Sequence, residues 1–441
     1  MVTVVMVHND KGEDGEEWRA GLSYSASDSF AKHLIGKGAA YAGDGTLPDV
    51  SLTAAQAAGL AAALPMRPTT LAPYALRKTQ RGLARVRAGL ANMTIACVSD
   101  STGAGQYADG TNAWAGAKAR SWPTALAAIL TTAGYPGSIA SVTSDNSTLG
   151  HGGTIPSFDS RVTSGANYIA GTLNTAGGQI IMNTAGSLGN AAAETFSFSP
   201  GTSFDTVEVY WYRSASVGTF TIDCGGSALA TCSTSGGSGG TTTPGTTNQV
   251  NKTVVTKTAG ADPINIIRTV LGSVIITGIV AYLSTTKCVN MLNMGWSGSR
   301  TTQWNDSSGD YSPLNALLDY SPDLTIIGLG INDSILGNSE ATVTAALNAL
   351  VTAALTTGDV LLLNHTWVDT TVASAANQAA VYAAVAAVSR ANQVPVLDLQ
   401  SRWSSYATAA ALGYIHSDKT HPLQAGYQDM AHAIAGVILS L

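Results

Sequence analysis

The sequence predicts an α/β protein: a parallel sheet between helices, interrupted by an antiparallel β-sandwich and preceded by a small N-terminal unit. Three observations carry this. At 93–150 and 287–441, short apolar runs alternate with Ala-rich stretches of helical length, the pattern of βα units. Between 151 and 286 the runs are β-branched and aromatic, and glycine, serine and threonine clusters separate them, as in antiparallel strands. Polar clusters follow directly after the apolar runs of the α/β segments, where open α/β sheets place their sites.

The elements follow in order. Residues 1–66 form a unit with a helix expected in "SYSASDSFAKHLIGKGAAYA" and another in "SLTAAQAAGLAAALP". Residues 67–92 are a helical connector. Within it Arg77, Arg81 and Arg85 share one face, and Leu76, Leu83, Val86 and Leu90 supply the apolar side. "MTIACVS" reads as a buried strand and "WPTALAAILTTAG" as a helix stopped by Gly134. The inserted module, 151–286, contains "FDTVEVYWYRS", "GTFTIDC", "NKTVVTKT", "INIIRTV" and "SVIITGIVAYL" as strands. Its "STSGGSGGTTTPGTTN" reads as a loop. Then "CVNMLNMG", "DLTIIGLG", "DVLLLNHTW" and "VPVLDL" return to buried strands, with helices at "ATVTAALNALVTAAL", "NQAAVYAAVAAVSRAN" and "PLQAGYQDMAHAIAGVILSL".

Composition narrows the function classes. Apolar residues are 45% of the 441, enough for full cores. Charged residues are 11%, against about 25% in an average soluble protein. The net charge of −6 argues against nucleic acid as the partner. The longest apolar run, "LGSVIITGIVAYL", falls short of a membrane helix of about 20 residues, so no membrane insertion is expected. No signal peptide is read at "MVTVVMVHNDKGEDGEE", which has no basic residues before its apolar run and no small-residue cleavage site. The four cysteines form no C-x-x-C pair; Cys224 and Cys232 are a candidate disulfide whose geometry the sequence leaves open. No metal-ligand spacing such as H-E-x-x-H is present, and no cofactor is expected.

Four polar clusters end the strands. Ser99-Asp100-Ser101 follows the first; "NMGWSGS", with Asn293, Gly295, Ser297 and Gly298, follows the second. "GLGINDS", with Gly330, Asn332 and Asp333, follows the third, and "SDKTHP", with Asp418 and His421, precedes the last helix. In this order the blocks resemble those of SGNH hydrolases, the GDSL-like esterase family, over roughly 93–150 and 287–441. Ser99 stands where the family's G-D-S has glycine. The G-x-N-D block is intact at Gly330 to Asp333, as is D-x-x-H at Asp418 to His421.

The resemblance implies a three-layer α/β/α hydrolase domain and a set of roles. Ser101 is the expected nucleophile, His421 its base and Asp418 the partner of the second ring nitrogen. The oxyanion hole is expected from the backbone N–H groups of Ser101 and Gly298 and the side-chain amide of Asn332. Asp100 and Asp333 are expected to hold loops. Trp296, Trp367 and His365 are candidate substrate-binding residues, since they stand close to strand ends; core packing is the competing reading of the tryptophans.

The family includes lipases, thioesterases and carbohydrate acetylesterases. The sequence shows no greasy lid, and the insertion resembles carbohydrate-binding β modules in size and composition. The expected substrate is therefore an acetylated polysaccharide. The N-terminal unit resembles the leader of a phage tail or virion protein, which implies attachment to other virion proteins and action outside the cell. Two alternatives stay open: a glycan- or receptor-binding tail protein without turnover, and a secreted bacterial acetylesterase or lipase.

Overall fold

The computed structural model describes residues 76–111, 114–143, 158–164, 195–212, 218–233, 250–270, 274–307 and 313–440. It also describes the strand backbones at 2–6, 10–11, 17–18, 23–26, 40–42, 180–182, 237–238 and 241–242. The chain divides into two units at about Met66.

In the first unit Val2–Met6 pairs antiparallel with Ser23–Ala26 and with Ala40–Ala42. The stretch 23–42, within which a helix is expected, begins and ends in strand; its middle lies outside the described residues, as does the helix expected within 51–65.

The second unit is built on six parallel strands. Their order is Val396–Asp398, Asp359–Asn364, Leu324–Gly328, Met93–Ser99, Val289–Gly295 and Gly137–Ser138. Alternate residues of a strand face opposite layers. Ala96 and Val98 thus join a core with Leu347, Leu350, Val385 and Val388 of the helices Glu340–Ala354 and Ala375–Asn392. Trp122–Thr132 packs with the closing helix Gln424–Leu439. Gly134, at φ +87°, ends the former as expected. The chain leaves Met93–Ser99 toward one edge and later crosses to Leu324–Gly328 on its other side. That reversal opens a crevice above the carboxyl end of Met93–Ser99.

The connector helix, Arg77–Arg87, serves this same sheet. The Thr79 N–H and hydroxyl both donate to Asp359 Oδ2, at 2.7 and 2.9 Å. Arg85 pairs with Asp323 at 2.6 Å. Part of the basic face is thus engaged by the chain's own strand starts.

The insertion is a pair of six-stranded antiparallel sheets. Phe196, Phe198, Phe204, Trp211, Phe220 and Ile266 fill the space between them. It starts earlier than composition marks, because Ser141–Val142 already pairs with Val274–Tyr282. The Gly/Ser/Thr stretch holds two short strands, Gly237–Ser238 and Thr241–Thr242, so it is more than a loop. Cys224 and Cys232 are both free. The register faces Cys224 with Ser227 and Cys232 with Phe220, which separates the two sulfurs.

Sandwich and α/β layers share one core. Tyr210 and Val280 from the sandwich cluster with Leu292 and Tyr320. The Tyr320 hydroxyl donates to the Thr277 carbonyl at 2.6 Å. Gly278 makes room for it: a Cβ there would lie 1.8 Å from that oxygen.

Candidate active site

The first strand ends at Ser99 and a four-residue helix, Ser101–Ala104, begins. Asp100 caps it, its Oδ1 accepting from the Thr102 N–H at 2.9 Å and the Thr102 hydroxyl at 2.8 Å. The capping task falls to Asp100, so the Ser101 hydroxyl is left for other work. Asp100 is fully buried, and burial pushes its carboxyl up to about 6 against the Thr102 hydrogen bonds.

Ser99 replaces a glycine without loosening the turn. Its hydroxyl donates to the Gly328 carbonyl at 2.9 Å and meets Thr102 Oγ1 at 3.2 Å. Gly103 supplies the space, since a Cβ there would stand 2.4 Å from the Ser99 Cβ.

His421 and Asp418 arrive from a loop closed by the bridge between Ile415 and Pro422. His421 Nε2 lies 2.8 Å from Ser101 Oγ, across 320 residues of sequence. His421 Nδ1 lies 2.5 Å from Asp418 Oδ2. Asp418 Oδ1 accepts the N–H groups of Thr420 and His421 at 3.0 and 3.1 Å. Burial alone would raise the Asp418 carboxyl. The His421 ring, its charge and those two N–H groups outweigh burial and hold it at about 2. The acid is therefore ionised wherever the protein is folded near neutrality.

The turn after Val289–Gly295 carries the second expected oxyanion donor. The Ser299 N–H closes it on the Trp296 carbonyl at 3.1 Å, with Gly298 in third position at φ +75°. A type II turn demands such a φ there, and glycine adopts it freely. Asn332 stands in the first turn of the helix Ile331–Leu336 and donates one Nδ2 hydrogen to the Ser299 carbonyl at 3.0 Å. The amide has a second hydrogen to give. Asp333 ties the two loops by accepting the Thr301 N–H and hydroxyl, both at 3.0 Å.

Trp296 is not an exposed sugar platform. It is 1% exposed, packed edge-on against Trp304, whose Nε1 donates to Ser299 Oγ at 3.0 Å. Both tryptophans brace the turn from beneath, because apolar burial on that side fixes the loop the site needs. His365 is also buried; its Nδ1 pairs with the Thr366 carbonyl at 2.7 Å, and burial lowers its pKa. It packs behind Gly330 instead of opening onto the crevice. Trp367 is half-buried, and its Nε1 donates to the Gln400 carbonyl at 2.8 Å, which ties it to the helix Leu399–Trp403. Asn293 turns away from the site to Ser121 Oγ, 3.1 Å distant.

Two residues beside the triad carried no sequence signal. Tyr107 stacks on His416 with ring centroids 4.2 Å apart and planes 11° apart. It also stands 5.4 Å from the His421 ring.

The parallel sheet, whose strand order reverses at Met93–Ser99 and which carries Ser101, His421 and Asp418 in one hydrogen-bond chain at its carboxyl edge, has the arrangement of the SGNH fold. Residues 279–428 match the family model described as GDSL-like Lipase/Acylhydrolase family. No curated protein matches the sequence. A solved peptidoglycan O-acetylesterase superposes with a TM-score of 0.58 at 15% identity, over 82% of this chain and 97% of that one. That span exceeds the α/β domain alone, so the shared fold includes antiparallel sheets. A lipase/acylhydrolase from Enterococcus faecalis gives a TM-score of 0.29 at 21% identity, over 33% of this chain and 74% of that one. An acetylxylan esterase from Geobacillus stearothermophilus gives 0.28 at 16%, over 34% and 73%. Among the described residues, no helix is long and apolar enough to cross a membrane.

Proposed function

We propose that this chain is a serine esterase that removes O-acetyl groups from a polysaccharide. The observation that carries it is the continuous hydrogen-bond chain from Ser101 Oγ through His421 to Asp418. Ser101 Oγ attacks the acetyl carbonyl while His421 Nε2 takes its proton. The oxyanion meets the N–H groups of Ser101 and Gly298 and the Asn332 amide. His421 returns the proton to the sugar alkoxide, which departs as the alcohol. Water, deprotonated by His421, then attacks the acetyl-enzyme and releases acetate and free Ser101.

The polysaccharide rests on two supports: the sandwich beside the hydrolase domain, and the fold shared with a protein named as a peptidoglycan O-acetylesterase. Attachment to a virion through residues 1–66 rests on the sequence resemblance alone. A receptor-binding protein without turnover would have no use for an aligned triad. The test is acetate release from O-acetylated peptidoglycan, acetylated xylan and a short-chain nitrophenyl ester, each with the intact chain and with Ser101→Ala. Release from at least one polymer, abolished in Ser101→Ala, is expected. Turnover of the nitrophenyl ester with none from any polymer would remove the polysaccharide and leave the esterase.

A further inference from the structure

We propose that Tyr107 and His416 form a positioning pair that aligns the two halves of the triad. The proposal rests on the Ser101–His421–Asp418 reading above. The nucleophile and the base–acid loop come from distant parts of the chain, and a geometry this tight needs a connection between them. Tyr107 lies on the loop leaving the Ser101–Ala104 helix, where the Gln106 N–H donates to the Ser101 carbonyl at 3.1 Å. Its ring crosses to the other segment and stacks on His416. His416 in turn accepts the Asp418 N–H on its Nδ1 at 3.1 Å, and that nitrogen also lies 3.4 Å from Asp418 Oδ1. The His416 backbone N–H donates to the His421 carbonyl at 2.8 Å. His416 thus touches the nucleophile's segment with one side of its ring, holds Asp418 with its ring nitrogen and holds His421 with its backbone N–H. The loops are stitched again nearby, the Gln424 N–H donating to the Ala108 carbonyl at 3.1 Å.

The backbone supports a functional purpose. Tyr107 sits at φ +60°, the left-handed region that glycine occupies freely and a bulky residue does not. A residue held there against its preference is kept for its side chain, and the side chain meets His416 and His421.

Tyr107→Gly separates the two roles, since it keeps the backbone conformation and deletes the ring. We expect kcat on a small nitrophenyl ester to fall about 10–100-fold, with KM and melting temperature close to the parent values. Tyr107→Phe keeps the stack and should restore most of kcat. His416→Asn keeps an acceptor for the Asp418 N–H and should lose less than His416→Leu, a comparison that stands even where Tyr107→Gly fails to fold. The proposal is overturned if folded Tyr107→Gly stays within about threefold of the parent kcat, if Tyr107→Phe is as slow as Tyr107→Gly, or if His416→Leu is as fast as His416→Asn. Ser101→Ala runs beside them: activity surviving there rejects the triad itself, whereas a dead Ser101→Ala with a fast Tyr107→Gly rejects the pair alone.

Discussion

At the scale of single residues, the site divides into groups that react and groups that hold. Asn332 holds the Ser299 carbonyl with one amide hydrogen, and in the proposed mechanism it gives the other to the oxyanion. Asn332→Ala should lower kcat by about 10²–10³ with KM little changed, because the donor strengthens its bond only as charge develops. Steady-state kinetics with a melting curve check this; a destabilised variant with near-parental kcat would make Asn332 a turn residue. Asp100 holds, at a cost that depends on pH. Its carboxyl sits near 6 in the fold against an ordinary 3.8, so the folded state favours the protonated acid. Stability from this group is full below pH 4 and is lost as pH rises through about 6. Asp100→Asn should therefore stabilise the protein at pH 8, by on the order of 3 kcal/mol, and make little difference at pH 4. Denaturant melts at both pH values test it, and an equal effect at the two would reject the buried-acid account. The Ser101–His421–Asp418 hydrogen-bond chain was legible because a serine at a strand end and a D-x-x-H ahead of the last helix stood in a fixed order of blocks. Tyr107 and His416 were not, because a ring stack between distant segments leaves no local pattern. For Trp296 the sequence left sugar stacking and core packing both open, because nothing in "NMGWSG" says which side of the turn the indole takes; the structure buries it.

Among elements, periodicity served well where one face or a whole strand is buried. The strands Met93–Ser99, Val289–Gly295 and Asp359–Asn364 and the long helices stand where the apolar runs put them. Short elements escaped, including the edge strand Gly137–Ser138 and the helices Thr301–Trp304 and Tyr406–Ala411. Two to six residues are too few to show a period, and their backbones are set by neighbours already in place. Composition also set the start of the insertion late. Ser141–Val142 looks like linker by residue type, yet it pairs with Val274–Tyr282. The strand Val274–Tyr282 is where the two parts of the unit lock. Gly278→Ala would drive a methyl into the Tyr320 hydroxyl and its bond to Thr277. Overpacking of this kind costs about 1–3 kcal/mol. Thermal melts should show that loss, with kcat on a small ester unchanged in the folded protein; parental stability would mean that Tyr320 can move aside freely.

For the whole molecule, the shared core limits what excision can teach. Removing the sandwich would strip Tyr210 and Val280 from the cluster around Leu292 and Tyr320, so the remaining α/β layers would expose apolar surface and lose stability. Side-chain variants in the intact chain are the better instrument. The central claim is that the reaction runs through one serine activated across the molecule by His421. Reaction with an organophosphonate ester, followed by intact-mass measurement and peptide mapping, tests that claim most directly. The account predicts one adduct per chain, on Ser101, absent from Ser101→Ala and slowed strongly in His421→Ala. An adduct on another residue, or ester turnover by a chain that takes no label at Ser101, would contradict it.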